Sequence, residues 1–295
     1  MISLPSRLIS APDLVGLAIR QVRHNWRPMM ILFGYQSFLY EWIYSFGPWF
    51  ISNHAVPSGA RLVAFVVIPL LLFAVRWDLA IRSFALCLSV FSETALFEDA
   101  LQKGYKQRFK ILAGIAPSIF LDLLFLACIT IETWVAADPS MRANPLIAFG
   151  VIGLIVVTLV GTLPFCAVTQ LNETYVAGLA ANGLSLTGEL DRYCKIIFHS
   201  FGWMFAVLML QSLVINLLVV PPEMLSFLRE VSKLFEGGMR EVVTGAIITA
   251  ECCIMTPLMA LLFAISSCLS ALTYDQLTMR FEATDILKKL TRNHI

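Results

Sequence analysis

Between Val242 and Leu272 the chain is apolar apart from a few small polar residues, and Glu251 is the one charged residue in the stretch. An apolar run of about twenty residues is long enough to cross a bilayer as an α-helix. Similar runs recur along the chain, in which 58% of residues are hydrophobic and 14% are charged. Because a soluble domain carries about 25% charged residues, this composition excludes an ordinary globular enzyme. The sequence predicts an all-helical, multi-pass membrane protein.

Six transmembrane helices are predicted, and the whole chain is treated as a single membrane domain. An amphipathic cytoplasmic segment, 1–28, precedes the bundle of 29–272, and a cytoplasmic tail, 273–295, follows it. The second span has a short apolar part that is followed by Arg76 and Asp78. We treat it as one long helix, and the alternative is a short span followed by an interfacial helix. The predicted spans are 29–51, 62–84, 111–136, 146–170, 200–221 and 242–272.

Lysine and arginine residues are divided unevenly between the two sides of this topology. Fourteen fall in the N-terminal segment, the second and fourth connections and the tail, and five fall in the other three connections. Cytoplasmic loops carry the excess of positive charge in membrane proteins. Both termini are therefore predicted to be cytoplasmic, in a prokaryotic plasma membrane.

Three cytoplasmic segments, 12–23, 96–106 and 186–195, resemble one another. Each has an acidic residue early, apolar residues at helical spacing, and then bases. Acids at a helix start and bases at its end suit the helix dipole, and such an amphipathic helix lies naturally on an anionic inner leaflet. One interpretation is three repeats, each an interfacial elbow helix plus a hairpin of two spans. The alternative is that any cytoplasmic loop before a span gathers such residues.

Ionisable side chains inside the spans are the first candidates for a site, because they are costly there and usually functional. Folding the first hairpin back on itself predicts that Arg76 contacts Glu41 or Gln36. Asp78 can pair with Arg82 one turn away. The acids are either structural groups bonded to neighbouring helices or parts of a proton or cation relay. The intramembrane candidates are Glu41, Arg76, Asp78, Asp122 and Glu251.

The usual signatures of catalysis and metal binding are missing from the sequence. The seven cysteines form no CxxC pair, and the four histidines are far apart. No nucleophile stands beside a base, and no phosphate loop is present. We therefore predict no catalytic residues, no metal site and no cofactor. The net charge of +1 gives no reason to expect a nucleic-acid partner.

The segment after the last span reads Ala271-Leu-Thr-Tyr-Asp-Gln-Leu-Thr-Met-Arg-Phe-Glu-Ala-Thr-Asp-Ile286. It resembles the end of the glycerophosphoryl diester phosphodiesterase membrane-domain family, which closes with a pattern like Tyr-Tyr-Asp-Leu-Arg-x-Arg-x-Glu-Gly-x-Asp. The residues in register are Tyr274, Leu277, Arg280, Glu282 and Asp285, and the departures are Gln276, Thr278 and Ala283.

That resemblance implies a membrane location and an elbow-plus-hairpin architecture over most of the chain, and it implies no particular chemistry. In the family the domain is fused to a soluble phosphodiesterase or stands alone without an assigned activity. The charged residues just inside the last span can pair with one another and with lipid headgroups. The predicted interfacial anchor is Tyr274, Arg280, Glu282 and Asp285.

A second segment, Glu98-Asp99-Ala100 with Gly104 and then Ile115-Ala116-Pro117, is similar to the cytoplasmic coupling loop of ATP-binding-cassette importer permeases. In those proteins the loop is a helix pair that docks on an ATPase subunit. Asp99 and the downstream spacing depart from that pattern. This resemblance implies a partner protein.

Three functions remain open. The first is a non-enzymatic integral membrane module that binds lipid or a protein partner, serving lipid handling or membrane organisation. The second is a transporter or permease that uses Glu41, Arg76, Asp122 and Glu251. The third is an accessory subunit of a larger membrane complex. The expected partners are membrane lipids, with a membrane protein or a second copy of the chain as further candidates.

Overall fold

The computed structural model describes residues 8–53, 56–92, 97–137, 168–182, 186–223 and 237–292, together with Gly150 and Gly153. The regular elements in these ranges are all α-helices, as the apolar runs predict. The nine helices of the described residues are α1 (Ala11–His24), α2 (Trp26–Ser52), α3 (Ser58–Phe91), α4 (Phe97–Lys106), α5 (Arg108–Ala137), α6 (168–182), α7 (Leu186–His199), α8 (Phe201–Glu223) and α9 (Gly237–Arg292).

Three of the described helices are long and apolar enough to cross a membrane. The candidate spans are Ser58–Phe91 of α3, Arg108–Val135 of α5 and Val242–Ala283 of α9. They correspond to the second, third and sixth predicted spans. Most of the predicted fourth span, 146–170, lies outside the described residues. These helices indicate an integral membrane protein that crosses the bilayer several times.

The second predicted span is one continuous helix, as predicted. Helix α3 runs unbroken for 34 residues, so the alternative of a short span followed by a separate interfacial helix is not what forms. Its first half turns large apolar side chains outward, as expected of a surface that contacts acyl chains. These exposed residues are Leu62, Val63, Phe65, Val66, Val67 and Leu70.

Helix α9 is the centre of the bundle. It is 56 residues long, which corresponds to roughly 84 Å of helix. It contacts α1, α2, α3, α7 and α8. Between Ala260 and Leu277 most of its side chains are buried. A helix that is buried on all sides must be apolar or carry small, mutually bonded polar groups, and this segment is rich in Ala, Leu and Ser.

Each of the three predicted elbow segments is a helix that is separated from the next, longer helix by a single residue. We call Asn25, Gln107 and Ser200 the first, second and third hinges; they lie between α1 and α2, α4 and α5, and α7 and α8. Each hinge donates its backbone N–H to a carbonyl in the turn before it, and its own carbonyl accepts a bond from the first turn of the next helix. One residue thus satisfies backbone groups of two helix ends.

The elbow helices α1 and α4 pack against the bundle with their apolar faces. Ser10 caps the start of α1 by accepting a bond from the backbone N–H of Asp13, and α1 then packs on α8 and α9. Helix α4 packs on α3 at Gly104, where a Cβ atom would lie 3.0 Å from the side chain of Ile81 and 3.2 Å from its carbonyl oxygen. Gly104, the glycine of the segment that is similar to the coupling loop, therefore allows α4 to pack closely on α3.

Candidate functional site

A buried ion pair joins α3 to α5. The Nε atom of Arg76 lies 2.5 Å from Oδ2 of Asp122, and the two side chains are 9% and 0% exposed. Either charge alone would be costly in a dry interior, whereas the pair compensates both. The two groups therefore form one neutral unit between the helices, which we call the Arg76–Asp122 centre.

Two tyrosines of α2 complete the surroundings of Asp122. Tyr40 and Tyr44 are one turn apart and share a face of the helix. The Tyr40 hydroxyl donates to Oδ1 of Asp122 at 3.1 Å, and the Tyr44 hydroxyl donates to its main-chain carbonyl at 3.0 Å. The guanidinium carbon of Arg76 lies 5.8 Å from the centre of the Tyr40 ring. Helices α2, α3 and α5 therefore meet at this centre.

The sequence predicts Glu41 or Gln36 as the partner of Arg76, and the ion pair in the structure is with Asp122. Gln36 donates to Oδ2 of Asp78 at 2.7 Å, and Glu41 is half-buried on α2. The prediction considered the first hairpin by itself. Helix α5 packs against both α2 and α3, and it places Asp122, which is not part of that hairpin, beside Arg76.

Asp78, two residues after Arg76 on α3, organises a second polar cluster. Its predicted pair with Arg82 is confirmed, with Nε 2.7 Å from Oδ2. The Tyr105 hydroxyl of α4 donates to Oδ1 at 2.6 Å, and partial burial, followed by this bond, raises the pKa of Tyr105. Trp77 donates its indole N–H to the Arg108 carbonyl at 3.0 Å, directly after the second hinge. The consecutive residues Arg76, Trp77 and Asp78 of α3 thus place the ion pair next to the contacts that α3 makes with α4 and with the start of α5.

A third polar cluster joins α6, α8 and α9, and the sequence analysis misses it. Ser266 donates its hydroxyl to Oε2 of Glu173 and accepts a bond from Nε2 of Gln211 at 2.8 Å. Gln170 donates to the Ser270 hydroxyl at 3.0 Å. The predicted fourth span ends before Glu173, which assigns that residue to a cytoplasmic connection. In the structure Glu173 lies within α6 and contacts Ser266 of α9.

A small cavity lies beside both the ion pair and the third cluster. Its volume is about 20 Å³, and its polar lining comes from Arg76, Ser83, Ser118, Asn172, Glu173 and Ser267. A cavity of this volume, with several polar partners, has room for about one water molecule. It is much smaller than a pocket for a drug-sized ligand.

Glu251 is buried in α9 but is distant along the chain from this region. Fifteen residues separate it from Ser266, which corresponds to roughly 22 Å along the helix. Of the four groups that the transport hypothesis invokes, Arg76 and Asp122 meet directly, and Glu251 belongs to another level of the bundle. The interior polar groups are thus spread over more than one depth.

Part of the predicted interfacial anchor is directed into the protein. Tyr274 is buried, and its hydroxyl oxygen accepts a bond from Nδ2 of Asn182 at 2.5 Å. Glu282 is 61% exposed and lies 3.8 Å from Arg192. The side chain of Asp285 lies outside the described residues.

Arg280 of the same anchor contacts Ile9, just before α1. Its Nη2 donates to the Ile9 carbonyl at 2.9 Å, and its guanidinium carbon lies 4.6 Å from the centre of the Trp203 ring. Gln276, one turn earlier, accepts a bond from the Ile9 N–H at 3.0 Å. These contacts fix Ile9, two residues before α1, against α9, so Arg280 and Gln276 stabilise the packing of the first elbow.

The three clusters are suited to holding helices together. Their charges and hydrogen-bonding groups face one another across α2, α3, α4, α5, α6, α8 and α9, and such interhelical bonds replace those that lipid cannot offer. Within the described ranges, no group of three or more His, Cys, Asp and Glu side chains is arranged to hold a metal ion. Comparison of the chain with protein-family models, curated proteins and solved structures gave no significant match.

Proposed function

We propose that the chain is a six-span, non-enzymatic membrane module with both termini in the cytoplasm of a prokaryotic cell, and that it binds membrane lipid. The three apolar helices, the uneven distribution of Lys and Arg, and the three elbow-and-hinge units support this architecture. Each unit begins with an elbow helix and continues into a long helix, so three repeats of one elbow-plus-hairpin design account for the helix order.

The observation that carries the lipid proposal is the orientation of the first two elbow helices on the bundle. Helices α1 and α4 turn their apolar faces to the protein and leave their bases exposed. Polybasic segments next to a membrane helix are attracted to the anionic inner leaflet. The resemblance of the C-terminal segment to the glycerophosphoryl diester phosphodiesterase membrane-domain family supports a module of this kind.

The topology is tested by cysteine labelling in a background without the native cysteines. Cysteines introduced at Asn53, Arg142 and Lys233 should react with a membrane-impermeant maleimide added outside intact cells, because all three fall in connections poor in positive charge. Lys106→Cys, on the exposed face of α4, should react only after the membrane is opened. Outside labelling at Lys106, or inside-only labelling at any of the other three, would contradict the six-span arrangement.

The lipid proposal is tested by native mass spectrometry of the full chain purified in a mild detergent. We expect at least one phospholipid to stay bound to each chain after detergent exchange, because exposed bases and lipid-facing apolar surface hold both parts of a lipid. Delipidation followed by re-addition of a defined lipid should restore the bound mass. A chain that carries no lipid under either condition would contradict the proposal.

A second candidate, transport of protons or a small cation, is favoured by the cavity between Arg76 and Glu173. A water there would link the two charged groups across α3 and α6. Proteoliposomes in which a pH-dependent flux is abolished by Glu173→Gln, with folding intact, would favour transport over lipid binding. We place it second because Arg76 already has an acidic partner and Glu173 is bonded to Ser266.

A further inference from the structure

The first hinge carries an exposed cluster of bases around an exposed aromatic ring. Arg20, Arg23 and Arg27 are exposed, and Trp26 is 51% exposed. The guanidinium carbon of Arg27 lies 5.5 Å from the centre of the Trp26 ring. These four residues, the first hinge surface, lie at the point where α1 ends and α2 begins.

The second hinge repeats this arrangement on a different helix pair. Lys106, Arg108 and Lys110 are exposed, and Phe109 is 66% exposed. The guanidinium carbon of Arg108 lies 5.1 Å from the centre of the Phe109 ring. These four residues form the second hinge surface. In the described part of the chain, no base of either hinge surface forms an ion pair, so their charges face outward and are available to an anion.

The third hinge has the exposed aromatic rings without the available charge. Phe198 and Phe201 are 79% and 61% exposed. Lys195, however, lies 2.6 Å from the carboxylate of Asp191, and Arg192 lies 3.8 Å from Glu282. Among the described residues, therefore, the bases of the first and second hinges have no acidic partner, and those of the third hinge face acids.

We propose that the first and second hinge surfaces are binding sites for the phosphate group of anionic phospholipids, and that the third hinge binds none. Guanidinium groups match the geometry of phosphate oxygens and bind them with charge-assisted hydrogen bonds. Exposed Trp and Phe rings beside them fit the boundary between headgroups and acyl chains. An inorganic anion would use only the bases, whereas a lipid uses the bases and the ring together.

This inference rests on the proposed lipid-binding function and adds the lipid class and the two sites. The probe is phosphatidylglycerol, titrated into the full chain in a neutral detergent and read by native mass spectrometry. We expect two phosphatidylglycerol molecules to bind more tightly than phosphatidylcholine. Neutralising two bases of one surface, Arg23→Gln with Arg27→Gln or Lys106→Gln with Arg108→Gln, should weaken one of the two sites about 25-fold, because each base contributes about fivefold near an anionic headgroup.

Three controls distinguish the outcomes. Lys195→Gln, at the third hinge, should leave both sites unchanged, and Arg23→Lys with Arg27→Lys should keep most of the affinity because the charge is retained. Inorganic phosphate at the same concentration should not displace the lipid; displacement that follows the same residues would show a simple anion site and overturn the lipid assignment. If phosphatidylglycerol and phosphatidylcholine bound equally well, and the Gln double variants bound them as the unmodified chain does, the inference would be overturned. The proposed lipid-binding function would not be contradicted by that result. No retained lipid of either class would refute both.

Discussion

Replacing Asp122 with leucine should destabilise the protein by about 3–5 kcal/mol, which is the usual cost of breaking a buried ion pair by removing one partner. The change leaves the guanidinium of Arg76 without its acidic partner in a site where that side chain is 9% exposed. It also removes the carboxylate to which the Tyr40 hydroxyl donates. The free energy of unfolding is measured by titrating SDS into mixed micelles of the purified variants.

The double variant Arg76→Leu with Asp122→Leu tests whether the loss comes from the pair. It should be less destabilised than either single variant, because two apolar side chains leave no buried charge. Arg82→Leu is the matched control on the same helix. Its pair with Asp78 is more exposed, so the expected loss is about 1 kcal/mol. Additive losses at Arg76 and Asp122 would mean that the two side chains do not act as a pair.

Gly114→Ala should lower the free energy of unfolding by about 1–3 kcal/mol, the range for overpacking a tight interior. A Cβ atom at Gly114 of α5 would overlap the ring of Tyr175 on α6. Tyr175 is buried, so its ring has little room to move away. The two helices would have to separate, which would loosen the packing around Asn172 and Glu173 beside the cavity.

Gly202→Ala in α8 is the control for glycine replacement itself. No atom of the described residues lies within 4 Å of a Cβ atom at Gly202, so this variant should be unchanged or more stable by about 0.4–1 kcal/mol. Gly114→Ala combined with Tyr175→Leu should recover part of the loss, because leucine leaves room where the ring had been. Equal stability of Gly114→Ala and Gly202→Ala would contradict the close approach of α5 and α6.

Periodic features of the sequence predict the parts of the fold that depend on neighbours along the chain. Acids at the start and bases at the end of a segment predict α1 and α4, because those charges act on the dipole of their own helix. The i,i+4 spacing of Asp78 and Arg82 predicts their pair, because side chains four residues apart lie next to each other on a helix. Continuous apolar character predicts α3, α5 and α9, because a bilayer selects helices by length and composition.

The partners of the buried polar groups depend instead on which helices pack together. Gln170 and Glu173 of α6 are far from Ser266 of α9 in the chain, and only the packing of the two helices brings them into contact. The spacing of Gln170 and Glu173, matched by Ser266 and Ser270 one turn apart, is a signal that two polar helix faces could meet, but it does not identify the helix opposite.

The length of the apolar runs and the order of acids, apolar residues and bases before them therefore determined that the chain forms membrane-length helices preceded by amphipathic elbows. Tertiary packing decided that Arg76 meets Asp122. It also decided that Tyr274 bonds to Asn182 and that Arg280 bonds to the carbonyl of Ile9, just before α1. The physical reason is range. Helix formation is governed by residues within about one turn of each other, whereas a charge buried in a bundle takes whichever opposite charge or hydrogen-bond partner the neighbouring helix brings to its depth.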